Sequence, residues 1–430
     1  MFWRRAPKKG GAFLHRRLVE VGQRGVAVRS LGGNRAGEIR MTRLLRNPKV
    51  RVEDMIAHAR EQTARRVSGL HVLAIQDTTS LRDDGFDYSL NLHPTIAVEA
   101  ETGALLGLVH AELLKHEGGK KASRKQRAIQ DKESQRWLTG SKVASELCEA
   151  GAARVTVVAD RESDIYEAFA LKPANVELLI RANHDRVLKA DDRLFAHLGD
   201  QLEAGRFSVK LSAAPGRKAR QALLSVRHCL VEVKRPANRP RSGGLPATVA
   251  LHVVEAREVD VPPGVTPICW RLLTTHEVND FATARWVCGL YCQRWAIEEL
   301  FRILKTRGFD IERVGIAEGP FEKLSIASII AAVSILQLVR ERDGGSNRPL
   351  EDVFRPDEQA ALEATCKQLE GKTAKQKNPH AKNSLAYAAW VCARLGGWTG
   401  YYGKPGPIVM LRGLHMFRAI QLGWTMAANV

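Results

Sequence analysis

Leu70-His-Val-Leu-Ala-Ile-Gln-Asp77 reads as a short apolar strand that ends in a carboxylate. Arg154-Val-Thr-Val-Val-Ala-Asp160 repeats the pattern further along the chain. In an open α/β sheet, side chains at the carboxyl ends of neighbouring strands converge on one crevice. The expected class is therefore α/β, with Asp77 and Asp160 at one edge. A third acidic residue comes from a later stretch, Tyr291-Cys-Gln-Arg294-Trp-Ala-Ile-Glu298-Glu-Leu-Phe-Arg-Ile-Leu-Lys305. Read as one continuous helix, it puts Tyr291, Arg294, Glu298 and Lys305 within an arc about 60° wide. Leu290, Ile297, Leu300, Phe301 and Leu304 fall on the adjoining arc and read as its core face. A plain amphipathic helix has no use for a second stripe of one carboxylate, two cations and a phenol.

Three convergent carboxylates repel one another and raise one another's pKa values unless a cation neutralises them. Oxygen-only coordination suits Mg²⁺ or Mn²⁺. Two such ions about 4 Å apart can activate an attacking hydroxyl and stabilise a leaving oxygen. Asp77, Asp160 and Glu298 are the expected metal ligands and catalytic acids. Taken singly, each also reads as a cap or a surface acid: Asp77 precedes Thr-Thr-Ser, and Asp160 precedes a helix.

The chain has 430 residues, enough for two or three domains. Its formal net charge of +19 points to a polyanionic partner. Residues 1 to 66 carry 17 Lys/Arg against 5 Asp/Glu and read as a small basic helical module that binds DNA. The glycines at 25, 32, 33 and 37 argue against long helices there, whereas Val52 to Arg66 reads as helical after Pro48. The seven cysteines form no paired framework and read as reduced thiols. The N-terminus lacks an apolar core and is not expected to be a secretion signal, so a cytoplasmic protein is expected. Leu324 to Val339, apolar but carrying three serines and a glutamine, reads as a buried helix and not a membrane span.

Ile96 to Ala100 and Leu105 to Val109 read as a hairpin turning at Glu101-Thr-Gly103. Lys115 to Arg136 is a charged loop with Lys120, Lys121, Arg124, Lys125 and Arg127, in keeping with a DNA-facing segment. Helices are expected at Ser141 to Ala150 and Ile165 to Ala170. A β-rich insertion is expected over about 176 to 262, with a basic link at Lys234 to Arg241. Ile268 to Thr274 reads as a strand leading by a turn into the late helix, and Gly344 to Pro349 as a linker. These divisions give a module at 1–66, a catalytic domain at 67–345 and a helical domain at 346–430.

Three stretches carry a resemblance. Ile75-Gln-Asp77-Thr-Thr-Ser-Leu81, Val158-Ala-Asp160-Arg-Glu-Ser-Asp-Ile-Tyr166 and Tyr291-x2-Arg294-x3-Glu298-x6-Lys305 together resemble the bacterial DDE transposases of the insertion-sequence-four family. Cys269 to Thr275 and Ala386 to Gly397 are similar to further stretches of that family, and the likeness spans roughly residues 38 to 400. It implies a ribonuclease-H-like core interrupted by the β-rich insertion, and cut-and-paste movement of an insertion sequence. By the same resemblance, a freed 3′-hydroxyl forms a hairpin that water opens, before strand transfer. Trp270 matches the tryptophan on which a flipped base stacks. Tyr291, Arg294 and Lys305 match the residues that hold its phosphate. The C-terminal region would build a homodimer on paired inverted repeats, in a bacterial cytoplasm and on the nucleoid when bound to DNA.

The N-terminal third of the module matches poorly. His15-Arg16-Arg17-Leu18 is only faintly similar, and Met41 stands where an aromatic is expected. The alternatives are a silent or N-terminally degenerate relative that binds DNA or inhibits by dimerising, and a nuclease that only hydrolyses.

Overall fold

The computed structural model describes residues 8–21, 25–82, 89–116, 134–211, 219–237, 244–305, 308–401 and 403–427. The fold is α/β, built on a large mixed sheet flanked by helices. The chain forms two compact units, each discontinuous in sequence. One comprises Gly69–Asp77 and Gly118–Arg294; the other comprises Met1–Ser68, Thr78–Glu117 and Trp295–Val430.

Ten strands are numbered in chain order: β1 (His71–Gln76), β2 (Thr79–Arg82), β3 (Ser89–Glu99), β4 (Leu105–His116), β5 (Arg154–Ala159), β6 (Glu177–Arg181), β7 (Gly205–Leu211), β8 (Arg220–Lys234), β9 (Thr248–Val259) and β10 (Cys269–Thr274). In the unit holding residues 118–294 the order is β1-β5-β6-β10-β9-β8-β7. The first three are parallel, and the rest are antiparallel. β1 and β5 are buried along nearly their whole length, as parallel strands covered on both faces must be. The helix Gln135–Glu149 packs on both, burying Trp137, Ala144 and Leu147.

The β-rich stretch differs from expectation. β6 pairs with β5 and belongs to the parallel core. Only β7, β8 and β9 are added, and they extend the same sheet beyond β10 as an antiparallel ribbon. Long strands with alternating burial can do this because only one face needs cover.

The other unit surrounds the helix Glu318–Glu341, which is nearly all buried against β4 and neighbouring helices. By length and composition it could cross a membrane, but most of its apolar window is inside the protein. The expected hairpin is β3 and β4, longer at both ends than the sequence marks. Gly107 adopts φ +154° in β4, and a Cβ there would strike Thr63. Its absence lets Thr63 Oγ1 donate to the Leu108 carbonyl at 2.8 Å.

Helices form at Lys8–Val21, Val28–Gly32 and Arg35–Arg46, and the last runs through Gly37, where a long helix is not expected. Gly33 turns the chain with φ +74°, and the Asn34 side chain caps the next helix at Gly37. Gly32 and Gly37 let the two backbones touch, since a Cβ on either would overlap the other segment. The stretch read as a linker is tied down as well. Arg348 Nε and Arg66 Nε meet the buried Asp352 at 2.6 and 2.9 Å. All seven cysteines are free thiols. Residues 117–133, with the basic loop, and 238–243 of the basic link lie outside the described residues.

At the amino end of β1 and β5, Thr156 Oγ1 lies 2.9 Å from His71 Nε2 and 2.8 Å from His276 Nε2. Burial lowers His71 to a pKa of about 4 and His276 to about 3. In the unfolded chain both take up protons near pH 6.5. The stabilisation is therefore full above about pH 6.5 and is lost as pH falls towards 3–4, where the unfolded state binds more protons. Between pH 7 and 4.5, His276 should cost about 2 kcal/mol, and the more exposed His71 less. Urea unfolding at both pH values checks this, with His276→Gln expected to flatten the loss.

Candidate functional site

The paired register of β1 and β5 runs from His71 opposite Arg154 to Ile75 opposite Val158. Carried on by two residues, it sets Asp77 beside Asp160 at the carboxyl edge. Equivalent positions on adjacent parallel strands point to the same face, about 5 Å apart at the backbone. Asp77 is buried, at 8% exposure, while Asp160 is partly open. Asp160 accepts the Glu162 N–H at 2.8 Å and caps the short 3₁₀ turn Arg161–Ser163. Asp77 Oδ2 accepts Arg294 Nη1 at 2.7 Å, in an ion pair whose two side chains are mostly shielded.

Arg294 reaches Asp77 because the late helix is not continuous. One helix, Phe281–Cys292, starts at an Asp280 capping box. It ends in i→i−3 turns, with Gln293 N–H to the Leu290 carbonyl at 3.1 Å and Arg294 N–H to the Tyr291 carbonyl at 3.0 Å. A second helix, Trp295–Leu304, follows. The single arc expected for Tyr291, Arg294, Glu298 and Lys305 is corrected accordingly: these residues sit on two helices and the turns that end them. The apolar arc stands, since Leu290, Ile297, Leu300, Phe301 and Leu304 are all buried.

Tyr291 is buried, and burial raises its phenol pKa above the ordinary value. It shares a hydrogen bond with Arg294, and Arg181 and Asp160 also act on it electrostatically. Its ring meets Trp270 edge to face, with centroids 6.2 Å apart. Trp270 lies on β10, placed by pairing with Ala256 of β9. One unit thus gathers Asp77, Asp160, Tyr291, Arg294 and Trp270. Arg181, which ends β6 and donates to the Cys269 carbonyl at 3.2 Å, joins them. It was not singled out from sequence, and only its place at the end of a strand beside β5 marks it.

Glu298 and Lys305 belong to the other unit. Glu298 stands in the first turn of Trp295–Leu304 and is half-buried. Lys305 follows that helix and pairs with Glu312 at 2.7 Å. Among the described residues, no three His, Cys, Asp or Glu side chains stand together as a metal-holding group. The donor chemistry at Asp77 and Asp160 nevertheless fits a hard divalent cation: two side-by-side carboxylates at a strand edge, with no sulfur between them. Asp164, another acid of the same stretch, has a structural role. It is buried, pairs with Arg186 and accepts the Asn183 and His184 N–H groups at 2.7 and 2.9 Å.

Arg294→Gln should destabilise the protein by about 1–3 kcal/mol, because it removes an ion pair and charge-assisted hydrogen bond from a carboxylate shielded from water. Asp77→Asn in the same background should recover part of that loss in denaturant melts. A loss in the double variant equal to the sum of the two single losses would show that the pair is not coupled. No protein-family model matches the chain.

Proposed function

We propose that this chain is a DDE transposase of the insertion-sequence-four type, moving a bacterial insertion sequence by cut and paste. The observation that carries the reading is the register that sets Asp77 beside Asp160, with Arg294, Tyr291 and Trp270 grouped in the same unit. Asp77, Asp160 and Glu298 would hold two Mg²⁺ or Mn²⁺ ions. When bound, such ions lower the pKa of an attacking hydroxyl and stabilise the departing oxygen.

The remaining roles belong to the side chains. Arg294, with Arg181, offers a planar guanidinium to a backbone phosphate, and Tyr291 adds a hydroxyl. Lys305 adds a point charge to the same strand. Trp270 is half-exposed and gives a flipped base a surface to stack on, worth roughly 1–3 kcal/mol.

DNA ends would be bound by the N-terminal helices. On Arg35–Arg46, the residues Met41, Leu44 and Leu45 face inward. Arg35, Ile39, Arg43 and Arg46 are exposed and fall on one opposite stripe. Such a stripe suits phosphate contacts with an apolar residue among them. Dimerisation is assigned to residues 346–430. There the helix Pro407–Ala427 exposes Met416, Ile420 and Trp424 along one stripe, an apolar face suited to a partner helix.

The test is strand cleavage with Mg²⁺ on DNA bearing the inverted repeats that flank the coding sequence. The wild type should yield hairpin-ended and joined products. Glu298→Gln should lose them by at least about 10³-fold while keeping end binding within a few-fold. Lys305→Ala should slow hairpin formation more than the first nick. Cleavage without joining would favour a nuclease, and binding without cleavage in both forms a silent relative.

A further inference from the structure

A second cleft, of about 470 Å³, lies in the unit that holds Asp77 and Asp160. It is built from the chain after the 3₁₀ turn, the loop that follows β6, and the end of β8. Four cations line it: Arg186, Arg193, Lys234 and Arg235. Two of these are already balanced, Arg186 by the buried Asp164 and Lys234 by the exposed Asp191.

The other two are not. Arg193 donates to the Asp185 carbonyl at 3.0 Å, and Arg235 to the Leu245 carbonyl at 2.7 Å. Among the described residues neither guanidinium meets a carboxylate. A guanidinium held by a carbonyl is fixed in place while its charge and most of its donors remain available, the condition for gripping a phosphate. The wall beside them is apolar, formed by Ile165, Val187 and Pro236. Tyr166 underlies it, its hydroxyl held by the Pro246 carbonyl at 2.8 Å.

An apolar wall next to two unbalanced guanidinium groups fits a ligand with a flat apolar part and a phosphate, and the volume suits one small unit. We propose that this cleft binds a single nucleoside phosphate, with the phosphate on Arg193 and Arg235 and the base against Ile165, Val187 and Pro236. The unit comes either from a DNA strand or from a free nucleotide. Asp164, at the base of the cleft, is four residues beyond Asp160, so a strand engaged at Asp160 has a short path to it. Only the strand source rests on the transposase reading.

The experiment uses the full chain and two probes. One is deoxyadenosine 5′-monophosphate, titrated by calorimetry beside deoxyadenosine. The other is a single-stranded oligonucleotide carrying 5-iododeoxyuridine, crosslinked by light and mapped by mass spectrometry. A free-nucleotide site predicts that the monophosphate binds at least tenfold tighter than the nucleoside, and that Arg193→Gln/Arg235→Gln removes this preference. A strand site predicts weak binding of the monophosphate, with crosslinks in residues 164–187 or 234–237 that the double variant loses. Equal binding of nucleotide and nucleoside, together with crosslinks only elsewhere, overturns the proposal. The comparison of nucleotide with nucleoside on the wild type stands even if the double variant folds poorly. Loss of DNA cleavage in Glu298→Gln does not bear on either probe, so the two readings fail separately.

Discussion

Two aspartates stand at equivalent positions at the ends of adjacent parallel strands, and that register is the constraint on which the rest of the site depends. A guanidinium meets Asp77, and a backbone N–H meets Asp160. A one-residue slip of β1 against β5 would turn Asp77 to the opposite face, away from Asp160, and undo its contact with Arg294. The near-continuous burial of both strands defends the register, because a slip would also displace Val72, Ile75, Val155 and Val158 from their places in the core.

Arg294 can serve Asp77 only because the helix stops at Cys292. Gln293 and Arg294 occupy a turn, which frees the guanidinium to leave the helical surface. Tyr291, at the end of the first helix, is then pressed against Trp270. The antiparallel ribbon beyond β10 has a matching use: β9 holds β10 along its full length, and with it Trp270.

Most of the sheet was legible in the sequence. Both strand–Asp runs, the hairpin, β10 and the buried Glu318–Glu341 helix follow from local apolar pattern, which tertiary packing reinforces. The break after Cys292 was not legible, because Ala296, Ile297, Leu300 and Phe301 keep helical spacing with Leu290 across it. The N-terminal module reads as helical, but the helix Arg35–Arg46 running through Gly37 was not legible. Glycine lowers helix propensity, but Gly32 and Gly37 are needed where two segments touch, and packing outweighs propensity there. The part of the site carried by Asp77, Asp160, Tyr291, Arg294 and Trp270 could be read from residue types. Arg181, which joins it, depends on contacts between distant segments that no spacing records.

The discontinuity of the two units bears on synthesis. The unit holding both aspartates is complete in sequence once Arg294 has emerged. The other unit is not. Its first helix, Lys8–Val21, packs against one of its last, Pro407–Ala427, and both pack on Glu318–Glu341. The apolar face of Lys8–Val21 is covered only once Pro407–Ala427 is present. If each unit folds as its sequence becomes available, the unit of residues 118–294 is expected to form before the one that joins residues 8–21 to 407–427.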